Sequence, residues 1–198
     1  MTSYDPILTA KKDLRRRILA LRDGLSVQDR ERLAVIMQET LFSTPEFQTA
    51  SRIALFASFG SEVPTGRMIS EAILAGKEVF LPAVDMTERR LRFFRVRDPE
   101  TDLRPGAYGI PEPFAAGDPA SPASFDLIIT PGVAFDLEGH RVGYGGGYYD
   151  RVFMEAGSRP FRVGTAFELQ VVERVPRGTE DLPVRLLVTE KRILRFPD

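Results

Sequence analysis

The residues best suited to chemistry lie between Thr130 and Arg151, TPGVAFDLEGHRVGYGGGYYDR, where Gly143, Gly145, Gly146 and Gly147 surround Tyr144 and run into Tyr148, Tyr149, Asp150 and Arg151. Glycines let the backbone adopt φ > 0 and let a ligand approach closely, and N–H groups opening a following helix favour an anion. The stretch therefore reads as a phosphate cradle, with a purely structural turn as the alternative. It is not a P-loop, because no Lys-Ser or Lys-Thr follows the glycines. Nor is it a dinucleotide fingerprint, because Tyr148 stands where the third glycine belongs. Arg141 offers a planar cation to a phosphate oxygen, and Asp150 a carboxylate that can hold Mg²⁺ against bound phosphates.

Other groups could join that site. Lys11 and Arg15 are four apart on an expected helix, so they share a face that either grips a polyphosphate or is simply solvated. Glu62 follows a strand, where a carboxylate is either an ordinary surface acid or a partner for a ligand's amino and amide groups. Glu180 and Asp181 lie in a late loop, where one carboxylate could join Asp150 around a cation. Tyr108, in the run Tyr108-Gly-Ile-Pro-Glu-Pro113, either belongs to an ordered surface loop or presents an aromatic face to a flat heterocycle. The single histidine, His140, reads as a solvent-exposed turn residue, so a histidine-dependent triad has little support.

Composition excludes several classes of function. The formal net charge of −1 argues against a broad nucleic-acid surface. With no cysteine there is no disulfide, thiolate nucleophile or thiolate zinc site. No secretory leader and no apolar run long enough to span a bilayer are visible, so a cytoplasmic protein is expected.

The elements that must position these residues alternate. Asp5-Pro6 starts a helix to about Leu21, with Leu14, Ile18 and Leu21 as its buried stripe, and Ser26 with Asp29 opens a second through Leu41, with Leu33, Ile36, Met37 and Leu41 inward. Strands are expected over Arg52–Ser58, Glu78–Leu81, Leu91–Val96 (an antiparallel edge), Asp126–Ile129, Phe161–Phe167 and, as the last, Arg185–Thr189. A helix spans about Thr65–Ala75, closed by Gly76. The 126–129 strand is expected to enter the glycine loop, and a helix over about Tyr149–Met154 to leave it. Residues 98–124, rich in Pro, Gly, Ala and Asp, form a long connection. The fold class is α/β, a three-layer αβα sandwich with a mostly parallel, Rossmann-like sheet, in one domain over 1–198 with an N-terminal helical hairpin at 5–42 on the core.

Arg141-x-Gly143-x-Gly-Gly-Gly-Tyr-Tyr-Asp150 after TPGVAFD resembles the pattern of the 5-formyltetrahydrofolate cyclo-ligase (5,10-methenyltetrahydrofolate synthetase) family. So do, in the same order, Lys11-x-x-x-Arg15, Glu62-Val-x-Thr65, Gly109-Ile-Pro-Glu-Pro113 and the Pro176–Thr189 segment with Asp181. The resemblance implies ATP- and Mg²⁺-dependent closure of 5-formyltetrahydrofolate to 5,10-methenyltetrahydrofolate, chemistry of positioning and charge neutralisation. Carried over by position, Lys11, Lys12, Asp13, Leu14 and Arg15 would join the loop Arg141, Val142, Gly143, Tyr144, Gly145, Gly146, Gly147, Tyr148 and Tyr149 around ATP. Arg141 and Tyr148 would serve catalysis, and Asp150 and Asp181 would hold Mg²⁺. Ala57, Phe59, Glu62 and Tyr108, with Tyr144 to Tyr148, would receive folate. The implied partner is that small molecule, with no nucleic acid and no membrane, and a monomer is expected. Two alternatives stand beside this reading: another ATP-dependent enzyme activating a carboxylate or amide, and a non-catalytic folate- or nucleotide-binding paralogue.

Overall fold

The computed structural model describes residues 6–114, 117–178 and 181–197, apart from the side chain of Tyr108. Asp5 and Glu180, both singled out above, lie outside the described residues. The chain opens with α1 (Pro6–Asp23), α2 (Val27–Phe42) and α3 (Pro45–Thr49). There follow β1 (Arg52–Ala54), α4 (Gly66–Leu74), β2 (Glu78–Asp85) and β3 (Arg90–Val96). The 98–124 stretch is more structured than expected: it holds α5 (Pro99–Asp102) and a hairpin of β4 (Leu103–Pro105) and β5 (Pro111–Pro113). Then come β6 (Leu127–Thr130), β7 (Ala134–Asp136), β8 (Arg141–Val142), α6 (Tyr148–Ala156) and β9 (Phe161–Thr165). β10 (Val171–Val172), β11 (Leu186–Val188) and β12 (Ile193–Arg195) complete the chain.

The main sheet runs β12-β11-β9-β6-β1-β2-β3, its five inner strands parallel and its two edges antiparallel. Side-chain alternation along the inner strands sorts the core onto two faces. Ile53, Leu127 and Ile129 face α2, α3 and α4 through Met37, Phe47 and Met68, whereas Ala54, Ile128 and Leu187 face α6 through Val152 and Phe153. This is the expected three-layer sandwich with a mostly parallel sheet.

Several local expectations are corrected. Arg185–Thr189 is not the last strand: the Thr189 hydroxyl accepts the N–H groups of Lys191 and Arg192, and the turn it closes brings β12 back onto β11. β1 is shorter than Arg52–Ser58, although the Leu55 N–H still reaches the Phe80 carbonyl at 2.9 Å. Leu21 and Ile36 are exposed, at 53% and 41%. In α2 the buried stripe is Ala34, Met37, Gln38 and Leu41, at i, i+3, i+4 and i+7, and Ile36 falls off it. In α1 the residue buried one turn beyond Ile18 is Arg22, not Leu21. The two N-terminal helices also part company: α2 belongs to the core face, while α1 packs through Ile18 on a separate small sheet, β10-β7-β8.

That small sheet changes how the glycine loop is presented. The loop does not continue from the central strand β6, because the β7–β8 hairpin intervenes. The glycines thus join β8 to α6, and the strand-to-loop-to-helix order survives on a different strand. β7 is pressed onto the main sheet by Phe135, whose ring lies where a Cβ on Gly132 or Gly164 would sit, 2.5 Å away in each case. His140, in the β7–β8 turn, is half-buried rather than solvent-exposed, since its N–H is held by the wholly buried Asp136.

Candidate active site

A cavity of about 810 Å³ opens at the carboxyl ends of the parallel strands, where a doubly wound sheet keeps its ligand. Its lining brings together Glu62 from the loop after β1, the whole run Arg141 to Asp150, and Asp181 from the loop before β11. Lys11, Lys12 and Arg15 enter from α1, and Ala57 and Phe59 also line it. Two residues carried over with them do not reach it. Asp13 faces solvent and pairs with Arg16 at 3.0 Å, and Leu14 packs on the small sheet, because at about 100° per residue both sit off the Lys11–Arg15 face. The Tyr108 side chain lies outside the described residues, but Ile110 and Glu112 of the same hairpin line the cavity.

One end of the cleft is cationic. Arg15 Nε donates to the Gly143 carbonyl at 2.8 Å, and its guanidinium lies so close to Gly145 that a Cβ there would meet it at 3.3 Å. Arg151 holds the loop from the other side, donating to the Gly146 carbonyl at 2.7 Å. Gly147 takes φ +65° at the N-cap of α6 and offers no side chain to the first-turn N–H groups. Arg141 is buried, donating to Asp150 Oδ1 at 2.9 Å and to the Leu182 carbonyl at 2.8 Å, with its guanidinium 4.4 Å from the Phe153 ring centre. Burial pulls the Arg141 pKa down, and the charge of Asp150 opposes this. Lys11 Nζ binds Asp181 Oδ2 at 2.5 Å. Burial alone would raise the Asp181 carboxyl, but Lys11 and the Gly178 N–H outweigh it and hold the pKa low.

The other end is aromatic and acidic. Glu62 is 4% exposed and is fixed by mutual bonds between Ser58 and Thr65, which close its loop. Gln38 of α2 donates to the Pro64 carbonyl at 2.6 Å and steadies the same loop. Glu62 Oε2 accepts the Phe59 N–H at 3.1 Å, whereas Oε1 is buried with no partner among the described residues. Burial pushes this carboxyl up to about 7, against smaller opposing effects of the Phe59 N–H, Arg22 and Tyr144. The Tyr149 hydroxyl is also buried without a partner among the described residues. Burial likewise pushes the Tyr144 phenol up to about 12, and its ring packs on Phe59 at 5.0 Å.

Sequence reasoning missed the apolar wall of Pro82, Val84 and Leu91. Pro82 and Val84 are i, i+2 on one face of β2, and Leu91 pairs with Val84 across the β2–β3 ladder, so alternation along β2 was the available signal. It also missed Arg22, taken up below.

Fold and cleft define a class: an α/β protein whose site lies at strand termini, cationic at one end and with a buried acid at the other. Comparison with known proteins narrows this. The chain matches the family model for the 5-formyltetrahydrofolate cyclo-ligase family over residues 7–190, and it belongs to that family of ligases. It is 31% identical over 177 residues to the 5-formyltetrahydrofolate cyclo-ligase of Haemophilus influenzae, covering 88% of this chain and 94% of that one. With the mouse 5-formyltetrahydrofolate cyclo-ligase it shares 28% identity over 186 residues, 89% of this chain and 91% of the relative. The solved 5,10-methenyltetrahydrofolate synthetase of Aquifex aeolicus superposes with a TM-score of 0.83 at 39% identity, over 95% of this chain and 93% of the other. That of Mycoplasma pneumoniae, at 22% identity, shares the fold with a TM-score of 0.71 over 91% and 98%.

Proposed function

We propose that this protein closes 5-formyltetrahydrofolate to 5,10-methenyltetrahydrofolate, coupled to conversion of ATP to ADP and phosphate with Mg²⁺ present. The observation that supports this most is the shared cavity: Glu62 and the tyrosine-glycine loop line one space together with Lys11 and Arg15. A formyl oxygen is a poor leaving group, and ATP supplies the phosphoryl group that makes it a good one. N10 then forms its bond to the formyl carbon and gives up its proton, and phosphate departs with the oxygen. Such a reaction asks a protein mainly for alignment and for charge around the phosphoryl oxygens.

The residues fit a polyphosphate. The glycines form a cradle that a Cβ at Gly145 would crowd, and Arg15 and Lys11 line it at charge-assisted bonding range of the loop and of Asp181. Arg141 and Tyr148 both line the cavity, and on this reading Arg141 neutralises charge on the phosphoryl group and Tyr148 positions it. They also fit Mg²⁺. This ion is held by one or two carboxylates plus phosphate oxygens rather than by a protein cage. Asp150 and Asp181 both line the cavity, while no group of three potential metal-binding side chains occurs among the described residues. At the far end, Glu62 Oε1 and the Tyr149 hydroxyl are buried without partners among the described residues, and pteridine N–H and carbonyl groups would satisfy them. Phe59, Tyr144 and the wall of Pro82, Val84 and Leu91 supply the flat apolar faces.

Purified protein incubated with 5-formyltetrahydrofolate, ATP and Mg²⁺ should develop the methenyl absorbance only when both ATP and Mg²⁺ are present. Nucleotide binding without absorbance growth would instead establish a non-catalytic paralogue.

A further inference from the structure

Arg22 lies at the far end of α1 from Lys11, is 2% exposed, and takes no part in the cation cluster around the glycines. Its Nε donates to Ser61 Oγ at 3.0 Å, and Ser61 in turn donates to Asp23. Its Nη2 donates to the Tyr144 hydroxyl at 2.5 Å, with the guanidinium 5.8 Å from the Tyr144 ring centre. One buried guanidinium thus ties together the two segments that form the acidic, aromatic end of the cleft: the loop carrying Glu62 and the tyrosine of the glycine loop. Burying an arginine this completely costs free energy unless its donors are satisfied, so a purely structural contact here would be better served by an apolar residue.

The position on α1 adds to this. Lys11, Arg15, Ile18 and Arg22 follow the i, i+4, i+7, i+11 pattern of one helical face, and Arg22 is about 10 Å along the axis from Arg15. Arg15 bonds Gly143 and Arg22 bonds Tyr144, adjacent residues of the same loop. A single rigid helix therefore grips that loop at two points, one on its phosphate side and one beside Glu62.

We infer that Arg22 is a positioning residue for the folate end of the site, setting the place and charge of Glu62 and Tyr144 while leaving the nucleotide end to Lys11 and Arg15. The inference rests on the reading of Glu62 as the folate-binding acid. The groups facing Glu62 are the Phe59 N–H and the side chains of Arg22, Tyr144 and Tyr149, and Arg22 is the only cation among those described that acts on its carboxyl. Removing that cation raises the pH at which Glu62 ionises, because an opposite charge nearby favours the carboxylate.

The test is steady-state kinetics of the full chain across pH 5.5–9, with 5-formyltetrahydrofolate and ATP varied separately. Arg22→Met should raise the KM for the folate about tenfold, the scale of one lost charge-assisted bond, and leave the KM for ATP within about twofold. It should also move the acid limb of kcat/KM for the folate upward by about one pH unit. Arg22→Lys should return the limb most of the way and the KM only in part, since lysine keeps the charge but not the fork. Where Arg22→Met fails to fold, Ser61→Ala removes the other bond of the guanidinium and should raise the folate KM about threefold with the KM for ATP within about twofold. Equal changes in both KM values with the limb in place would reduce Arg22 to a scaffold contact and overturn the inference. Glu62→Gln separates the two levels: an unchanged folate KM there defeats the reading of Glu62 itself. A raised KM for Glu62→Gln beside an unaffected Arg22→Met defeats only the role of Arg22.

Discussion

Replacing Glu62 by glutamine should weaken folate binding and, at the same time, stabilise the empty protein in a pH-dependent way. The carboxyl is buried, one oxygen has no partner among the described residues, and its pKa stands at about 7 instead of 4.5. Between those values the folded chain holds a proton that the unfolded chain has released, so stability falls as pH rises through the window and is level above it. At roughly 1.4 kcal/mol per pH unit the gap amounts to about 3 kcal/mol. Glutamine does not titrate and has nearly the same shape. The variant should therefore match the parent near pH 4.5, relative to its own baseline, and gain about 3 kcal/mol on it by pH 8. For a chain of this length each kcal/mol moves Tm by roughly 2–4 °C, so thermal melts of ligand-free protein at pH 5 and pH 8 can read the effect. A difference in Tm between parent and variant that stays constant across that range would refute the argument, because it would mean that Glu62 ionises in the folded chain as it does in the unfolded one. A binding acid left desolvated and half-satisfied is a local cost to stability, retained where a ligand completes it.

Other perturbations probe the rest of the cleft. Arg15→Ala removes the bond to Gly143 and the cation beside Gly145, and should raise the KM for ATP about tenfold while leaving the folate KM unchanged in initial-rate assays. Asp150→Asn leaves the buried Arg141 without its carboxylate, which should cost about 2–3 kcal/mol in denaturant unfolding and raise the Mg²⁺ concentration for half-maximal rate. Gly164→Ala places a Cβ 2.5 Å from the Phe135 ring and should destabilise by about 1–3 kcal/mol; Phe135→Leu in the same chain should recover part of that, as read by Tm.

How much of this was legible in the residues depended on distance along the chain. The glycine loop, its flanking Arg141 and Asp150, and the Lys11–Arg15 pair are short-range patterns, and their placement on one cleft follows once the strands are parallel. Central strands of continuous apolar residues and the α2 N-cap at Ser26, whose hydroxyl accepts the Asp29 N–H, are equally local, and the fold class rests on them. The small sheet was not legible, because β8 and β10 are two residues each, too short for any alternating pattern to register. Its presence is what moves the glycine loop off β6 and gives α1 a surface to pack on.

Arg22 shows the limit most clearly. Its charge argues for solvent, and the Leu14, Ile18, Leu21 triplet offers an apolar stripe without it. The helix instead turns so that Lys11, Arg15 and Arg22 share the inward face with Ile18, and Leu21 is left 53% exposed. Hydrophobic burial alone would favour the opposite rotation, by about the 1.5–3 kcal/mol that a leucine gains on burial. Two bonds from the Arg22 guanidinium, one from Arg15 to Gly143, and the ion pair of Lys11 with Asp181 fix the observed one. A helix that gives up a leucine to point three cations inward is set by the site it serves, and periodicity fails there because three of the four bonds that decide the rotation go to residues more than a hundred positions away.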